Sequence, residues 1–195
     1  MKHFGEAPGR AVIEQFEHYH KQTYRNRCVI AAANAPLTLS VPVIKKNDQA
    51  IRDVRIDGRD DWQRLHLQSI ASAYGTTPYF EYYQDDLEAL LHQRFDFLFD
   101  LNEAARELIC RLLDLHPDLS FSTAYLHEGK EVTAAGMTDL RGAIQPKSTC
   151  PFSGFSPAPY PQVFSQRFGF QSDLSILDLL FNQGPEALLT LKQSL

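Results

Sequence analysis

Leu37-Thr38-Leu39-Ser40-Val41-Pro42-Val43 is the stretch on which the architecture turns. Apolar and polar side chains alternate with a period of two, which puts Leu37, Leu39, Val41 and Val43 on one face of a half-buried strand. Pro42 has no amide hydrogen to give a ladder, so its side of the strand is expected to face away from a partner. Beyond the polar turn Lys45-Lys46-Asn47-Asp48, the run Ile51 to Asp57 alternates again, and the two runs are expected to pair as a hairpin. Upstream, Ala11 to Glu17 reads as a strand and Cys28-Val29-Ile30-Ala31-Ala32 as a short buried one, closed by the turn Asn34-Ala35-Pro36.

Helical spacing takes over downstream. Trp62, Leu65, Ile70 and Ala73 mark a helix capped by Asp60 or Asp61 and ended by Gly75. Apolar residues from Leu87 to Leu115 predict a long helical tract over about 85–115, stopped by Pro117 and bent near Phe95-Asp96-Phe97-Leu98-Phe99. Phe121 to Leu126 returns to strand character. Residues 129–162 hold four of the ten glycines and five of the eleven prolines, which marks a long loop of the kind that carries function. A helix behind Pro161 is expected near Tyr160 to Arg167. Ser172 or Asp173 caps a last apolar helix through Gln183; Gly184 ends it and Pro185 opens a final short one. The fold class is therefore α/β, a mixed sheet of short strands in the N-terminal part covered by helices from the middle and C-terminal parts, with α+β as the alternative. One domain spanning 1–195 accounts for the length.

Composition narrows the function. The apolar fraction of 44% and charged fraction of 22% are those of an ordinary globular chain and exclude global disorder. Nineteen basic against 24 acidic residues give a net charge of −5, which argues against nucleic acid as a partner. No window of apolar residues reaches membrane-spanning length, and Met1 to Arg10 lacks a secretory apolar run, so the cytoplasm is the expected compartment. Cys28, Cys110 and Cys150 are far apart and never in a CxxC arrangement, which disfavours zinc and disulfides. The dinucleotide, P-loop, serine-hydrolase and zincin motifs are missing, so no cofactor and no metal are expected.

The densest chemistry is His18-Tyr19-His20-Lys21-Gln22-Thr23-Tyr24-Arg25-Asn26-Arg27. Three fixed cations, two imidazoles and two phenols in ten residues would create a positive locus in an acidic protein and attract a small anionic ligand. The competing reading is a solvated loop whose arginines pair with carboxylates. His18 and His20 could share a strand face with Glu14 or Glu17 as metal ligands, but the adjacent cations oppose this. His66 follows Trp62 by one helical turn and shares its face, as a pocket edge or as a packing pair. Pro78-Tyr79-Phe80-Glu81-Tyr82-Tyr83 reads as core packing or pocket lining. Asp178 lies within an apolar helical run and is expected to meet Arg, Lys or a backbone donor.

Glu14 to Cys28, which includes Lys21-x-x-x-x-Asn26-Arg27, resembles the corresponding segment of the WbqC-like family. The resemblance continues through Leu37 to Val43, Ile51 to Ile56, Trp62 to Tyr83, Ile144-Gln145-Pro146-Lys147 and Tyr160 to Phe164. The tail Gly169-Phe170 with Leu174 to Asn182 is similar to Bacteroidetes-type members. It implies a bacterial protein linked to O-antigen or other surface-polysaccharide biosynthesis. The implied activity is a transferase moving an aminoacyl group such as glycine to an activated amino sugar, with a nucleotide-sugar as the ligand. Family members place a strand and an aromatic segment ahead of the region matching Val12, so the chain is expected to lack that N-terminal segment. The site expected from residues and resemblance together has His18, Lys21 and His66 as catalytic groups, and Arg25, Asn26, Arg27 and Trp62 as substrate-binding ones. The alternative is a non-enzymatic anion- or nucleotide-sugar-binding or assembly protein.

Overall fold

Pro42 divides the alternating run in two. Strand β3 covers Leu37–Ser40 and β4 covers Val43–Ile44, with the Pro42 carbonyl between them accepting from the Asp57 amide at 2.9 Å. The computed structural model describes residues 10–44, 48–127, 132, 136–146 and 156–194. Strands occupy the N-terminal part and helices the middle and C-terminal parts, as the α/β reading requires. The named strands form three two-stranded pairs. β1 (Ala11–Ile13) runs parallel to β6 (Leu119–Phe121). β2 (Arg27–Ile30) is antiparallel to β3, with Arg27 opposite Ser40 and Ile30 opposite Leu37. β4 is antiparallel to β5 (Arg55–Ile56).

The second half of the expected hairpin is shorter than its alternation suggested. Ile51–Asp53 forms a 3-10 turn before β5 begins. Ile51 and Val54 are both buried, at 4% and 1% exposure. Residues three apart eclipse in a 3-10 turn but lie on opposite faces of a strand, so only the turn buries both. The β6 strand also lies earlier than Phe121 to Leu126, since its register follows β1.

Helix α1 spans Trp62–Tyr74 and buries Trp62, Ile70, Ala73 and Tyr74. Leu65, which the helical pattern assigned to the core, is 52% exposed. The expected tract over 85–115 is two helices, α2 (Phe80–Leu91) and α3 (Leu98–Leu112). The bend is a full interruption because the segment between them is used as sheet-like backbone: Asp96 O accepts from Ile56 N at 2.9 Å and Phe97 bridges Arg55. α4 is a single turn, Ser165–Phe168. α5 (Ile176–Gln183) starts behind Ser175, whose hydroxyl accepts from Leu177 N, and α6 (Ala187–Gln193) follows the Gly184–Glu186 3-10 turn. The described part of the expected 129–162 loop consists of turns and irregular chain apart from Val132; the Lys45–Asn47 portion of the expected turn and Cys150 lie outside the described residues.

The main core joins β2 and β3 to α1, α2 and α5 through Ile30, Leu39, Trp62, Tyr74, Phe80 and Phe181. Each such large side chain contributes about 1.5–3 kcal/mol on burial. Gly184 has φ +53°, and a Cβ there would collide with the Tyr79 ring, so the turn between α5 and α6 admits only glycine without rearrangement.

Candidate functional site

The polar segment 18–27 does not act as one body. Its first half is pinned along Gln49 to Arg52: Tyr19 N donates to Gln49 O at 2.9 Å and Ile51 N donates to Glu17 O at 2.8 Å. His18 faces outward, with Nδ1 2.9 Å from Asp48 Oδ1 and its ring edge-on to Tyr125. Lys21 and His20 are exposed. Arg25 turns back to Glu17 in a two-point pair, Nε to Oε1 at 2.8 Å and Nη2 to Oε2 at 2.6 Å, with both side chains more than four-fifths buried. That geometry consumes the guanidinium fork that an anion would need.

Asn26 and Arg27 point elsewhere. Asn26 Nδ2 donates to Val41 O at 2.9 Å, and Asn26 O accepts from Val41 N at 2.8 Å, so the residue clamps the link between β3 and β4. Arg27, at the start of β2, has no carboxylate within ion-pair distance among the described residues. Its Nε and the Asn26 Oδ1 are buried without a hydrogen-bond partner. Both residues line an open cleft of about 540 Å³, whose other walls are Ser40 to Val43 and, at the start of α1, Asp60, Asp61, Trp62, Arg64 and Leu65. Trp62, 5% exposed, belongs to the same cleft.

The structure thus brings Asn26, Arg27 and Trp62 together, while His18, Lys21 and Arg25 lie outside the cleft lining. His66 stands behind Trp62, with ring centroids 5.1 Å apart, and donates from Nε2 to Ser40 O at 3.2 Å. Burial pushes its pKa down, and the Ser40 carbonyl offsets this only in part, so the imidazole is neutral near pH 7. Ser40, Asp60, Asp61 and Arg64 also line the cleft; the sequence marked Asp60 and Asp61 only as helix caps, and Ser40 and Arg64 were not among the expected site residues. They reach it because β3 lies beside β2 and α1 begins opposite both. The α1 spacing did contain one signal: Arg64 and Leu65 follow Trp62 within a turn.

The charges in this cleft are uneven. Arg64 Nε is 2.5 Å from Asp61 Oδ2, which neutralises both groups. That contact also keeps the Asp61 carboxylate from capping the first turn of α1, which has no side-chain cap. Uncapped first-turn amides beside an unpaired guanidinium suit a phosphate or carboxylate group. Asp60 adds an exposed carboxylate at the same rim, suited to hydroxyl or ammonium donors. The lining therefore fits a ligand with an anionic end and a donor-rich end better than a simple anion.

Two buried titratable groups away from the cleft are structural, Cys28 and Asp178. Burial pushes the Cys28 thiol up and outweighs a hydrogen bond from Ser175, so Cys28 stays protonated and is no activated nucleophile. Among the described residues no cluster of His, Cys, Asp and Glu could hold a metal ion, and no helix is long and apolar enough to cross a membrane. Asp178 is fully buried on α5 and among the described residues meets neither Arg nor Lys. Its Oδ2 accepts from the Tyr160 hydroxyl at 2.8 Å and from Gln162 Nε2 at 2.9 Å. Tyr74 approaches the same carboxylate at longer reach, leaving Oδ1 without a short hydrogen bond. Burial pushes Asp178 upward, and burial together with the Asp178 charge pushes Tyr74 and Tyr160 upward.

Comparison with known proteins agrees with the resemblance carried by the segments above. The family model described as the WbqC-like protein family matches residues 9–145. The chain is 30% identical over 194 residues to the uncharacterized protein Rv1507c of Mycobacterium tuberculosis (strain ATCC 25618 / H37Rv), covering 87% of this chain and 81% of that relative. No solved structure matches.

Proposed function

The chain belongs to the WbqC-like protein family, and from that premise we propose that it is a transferase of bacterial surface-polysaccharide biosynthesis acting on an activated amino sugar. In this reading the sugar phosphate sits against Arg27 and the first turn of α1, and the donor-rich sugar faces Asp60. The sugar amine attacks the acyl carbon of an activated aminoacyl donor, a thioester or ester; the new amide bond replaces the acyl–sulfur or acyl–oxygen bond, and the thiol or alcohol leaves with the proton given up by the amine. Asn26 holds the β3–β4 link that forms the floor, and Trp62 forms the wall. Lys21 and His18, outside the lining, are second-rank candidates that would act only if the ligand extends beyond the cleft. His66 is neutral, packs on Trp62 and bonds Ser40, both of which line the cleft, and can take up a proton at Nδ1, so it is the candidate base.

The observation that carries the reading is Arg27: Arg25 is bound to buried Glu17 and Arg64 is in an exposed pair with Asp61, while Arg27 has no carboxylate partner among the described residues and lines the cleft. A second reading, a binding protein without turnover, is favoured by the lining itself, which supplies guanidinium and carboxylate groups but neither imidazole nor thiol. Titration with UDP-glucosamine and with glucosamine 1-phosphate, both of which carry a free amine, followed by mass spectrometry of any bound compound supplied with aminoacyl thioester or ester donors, separates the two. Binding that weakens at least tenfold in Arg27→Ala supports the cleft, and a new mass on the sugar supports the transferase. Equal binding by the variant would remove the cleft from consideration.

A further inference from the structure

A second cleft of about 350 Å³ also reaches the first turn of α1. Trp62 lines both clefts, so the two meet at this buried indole. The second cleft is walled by Ile56 and Gly58, by Gln63 of α1, and by the segment His92 to Asp96. That segment is a fixed support despite lying between two helices. Asp96 O accepts from Ile56 N, Phe97 bridges Arg55, and Leu98 N donates to Val54 O at 2.8 Å. Exposure alternates along it: Arg94 and Asp96 are exposed while Phe95 and Phe97 are half-buried, with Phe95 packed against the main core.

The side chains there are unspent. Gln63, His92, Gln93, Arg94 and Asp96 make no side-chain hydrogen bond or ion pair among the described residues. Two primary amides give paired donor and acceptor edges of the kind that match a nucleobase's amide-like edge, and the apolar walls Trp62 and Phe95 suit a flat ring. A free phosphate would use Arg94 and His92 but would leave both amides and the aromatic walls idle. The two volumes together fall within the range of ordinary small-molecule sites.

We propose that this second cleft is the nucleobase subsite of an extended ligand that passes Trp62, with the base among Gln63, Gln93 and Phe95 and the sugar phosphate in the Arg27 cleft. The assignment rests on the sugar-phosphate reading of the Arg27 cleft and adds the base end to it. The test compares ribose 5-phosphate, which has no base, with uridine, cytidine, adenosine and guanosine 5′-monophosphates by isothermal titration of the full chain. At least one nucleotide should bind tenfold or more tighter than ribose 5-phosphate. In Gln63→Ala/Gln93→Ala that gain should disappear while ribose 5-phosphate binding stays unchanged, with circular dichroism confirming the fold. Arg27→Ala should weaken all probes together. Equal binding of base-bearing and base-free probes, or a base preference that survives the double substitution, overturns the nucleobase subsite while leaving the Arg27 cleft standing. If ribose 5-phosphate is bound equally by Arg27→Ala, the cleft reading fails first, and with no probe bound both fail.

Discussion

The molecule holds two concentrations of polar side chains, and they are built on opposite plans. Around Asp178 the groups close on one another: a buried carboxylate, two phenols and an amide, with Gln162 also clasping Gln171 through its backbone amide and carbonyl. Around Arg27 they remain open, with a guanidinium facing a cleft and no carboxylate among the described residues within ion-pair distance of it. The closed cluster ties the loop at Tyr160, the tail helix α5 and, through Tyr74 accepting from Ala31 N at 2.9 Å, strand β2. A buried network that closes on itself, even with Asp178 Oδ1 left over, specifies how elements dock, whereas one that lines a cleft leaves interaction capacity for something outside the chain.

The contrast can be broken most forcefully at Asp178. Asp178→Ala strips the acceptor from Tyr160 and Gln162 in a dry environment and should cost about 3 kcal/mol, read as a drop in Tm of roughly 6–12 °C; a drop under 2 °C would mean the cluster is ornamental. Gly184→Ala is next, at about 2 kcal/mol, because the left-handed φ and the Tyr79 ring both oppose a side chain. Chemical denaturation that shows no change would mean the turn relaxes freely.

The two arginines sharpen the comparison from the other side. Arg25→Ala leaves Glu17 mostly buried and unpaired, so stability should fall by about 1 kcal/mol with ligand binding intact. Arg27→Ala should do the reverse, holding Tm within about 2 °C while sugar-phosphate affinity falls tenfold or more, about 1.4 kcal/mol. An exchange of those phenotypes would assign the anion to the wrong guanidinium.

The smallest effect is a pH slope. Asp178 in the folded chain holds its proton above the ordinary value of 3.8. From just above pH 4 the unfolded chain therefore gives up this proton before the folded one does. The Asp178 contribution to stability declines as pH rises through that window and levels off above the folded pKa. Stability of the native chain minus that of Asp178→Asn, measured between pH 4 and 8, should fall with pH; a rise would reverse the sign of the burial effect.

Local patterns carried the helices well. Trp62, Ile70 and Ala73 marked α1, Gly75 its end, and Gly184 with Pro185 the break between the tail helices, whereas the N-caps expected at Asp60 or Asp61 and at Ser172 or Asp173 do not form: Asp61 pairs with Arg64, and Ser175 caps α5. Long-range choices were not legible. Ile51 to Ile56 alternates like a strand, yet the core on both sides of it rewards a turn. The start of α2 at Phe80 was hidden behind an aromatic run equally at home in a strand. In the candidate site, Asn26, Arg27 and Trp62 stood out by type, whereas Ser40, Asp60, Asp61 and Arg64 acquire meaning only from the pairing of β2 with β3 opposite the start of α1. The partners of Asp178 were expected to be cations or backbone. Phenols take that place because weakly acidic hydroxyls donate without bringing a second charge out of water.

The parallel pairing of β1 with β6 has a temporal consequence. Gln15 and Ser122, bonded just past the ends of those strands, are 107 residues apart. During synthesis the leading strand therefore emerges from the ribosome with no mate and must wait until most of the helical middle has followed it. Closing so long an arc is entropically costly before other contacts draw the ends near, so this seam is expected to form late and to open early under mechanical pull at the amino end.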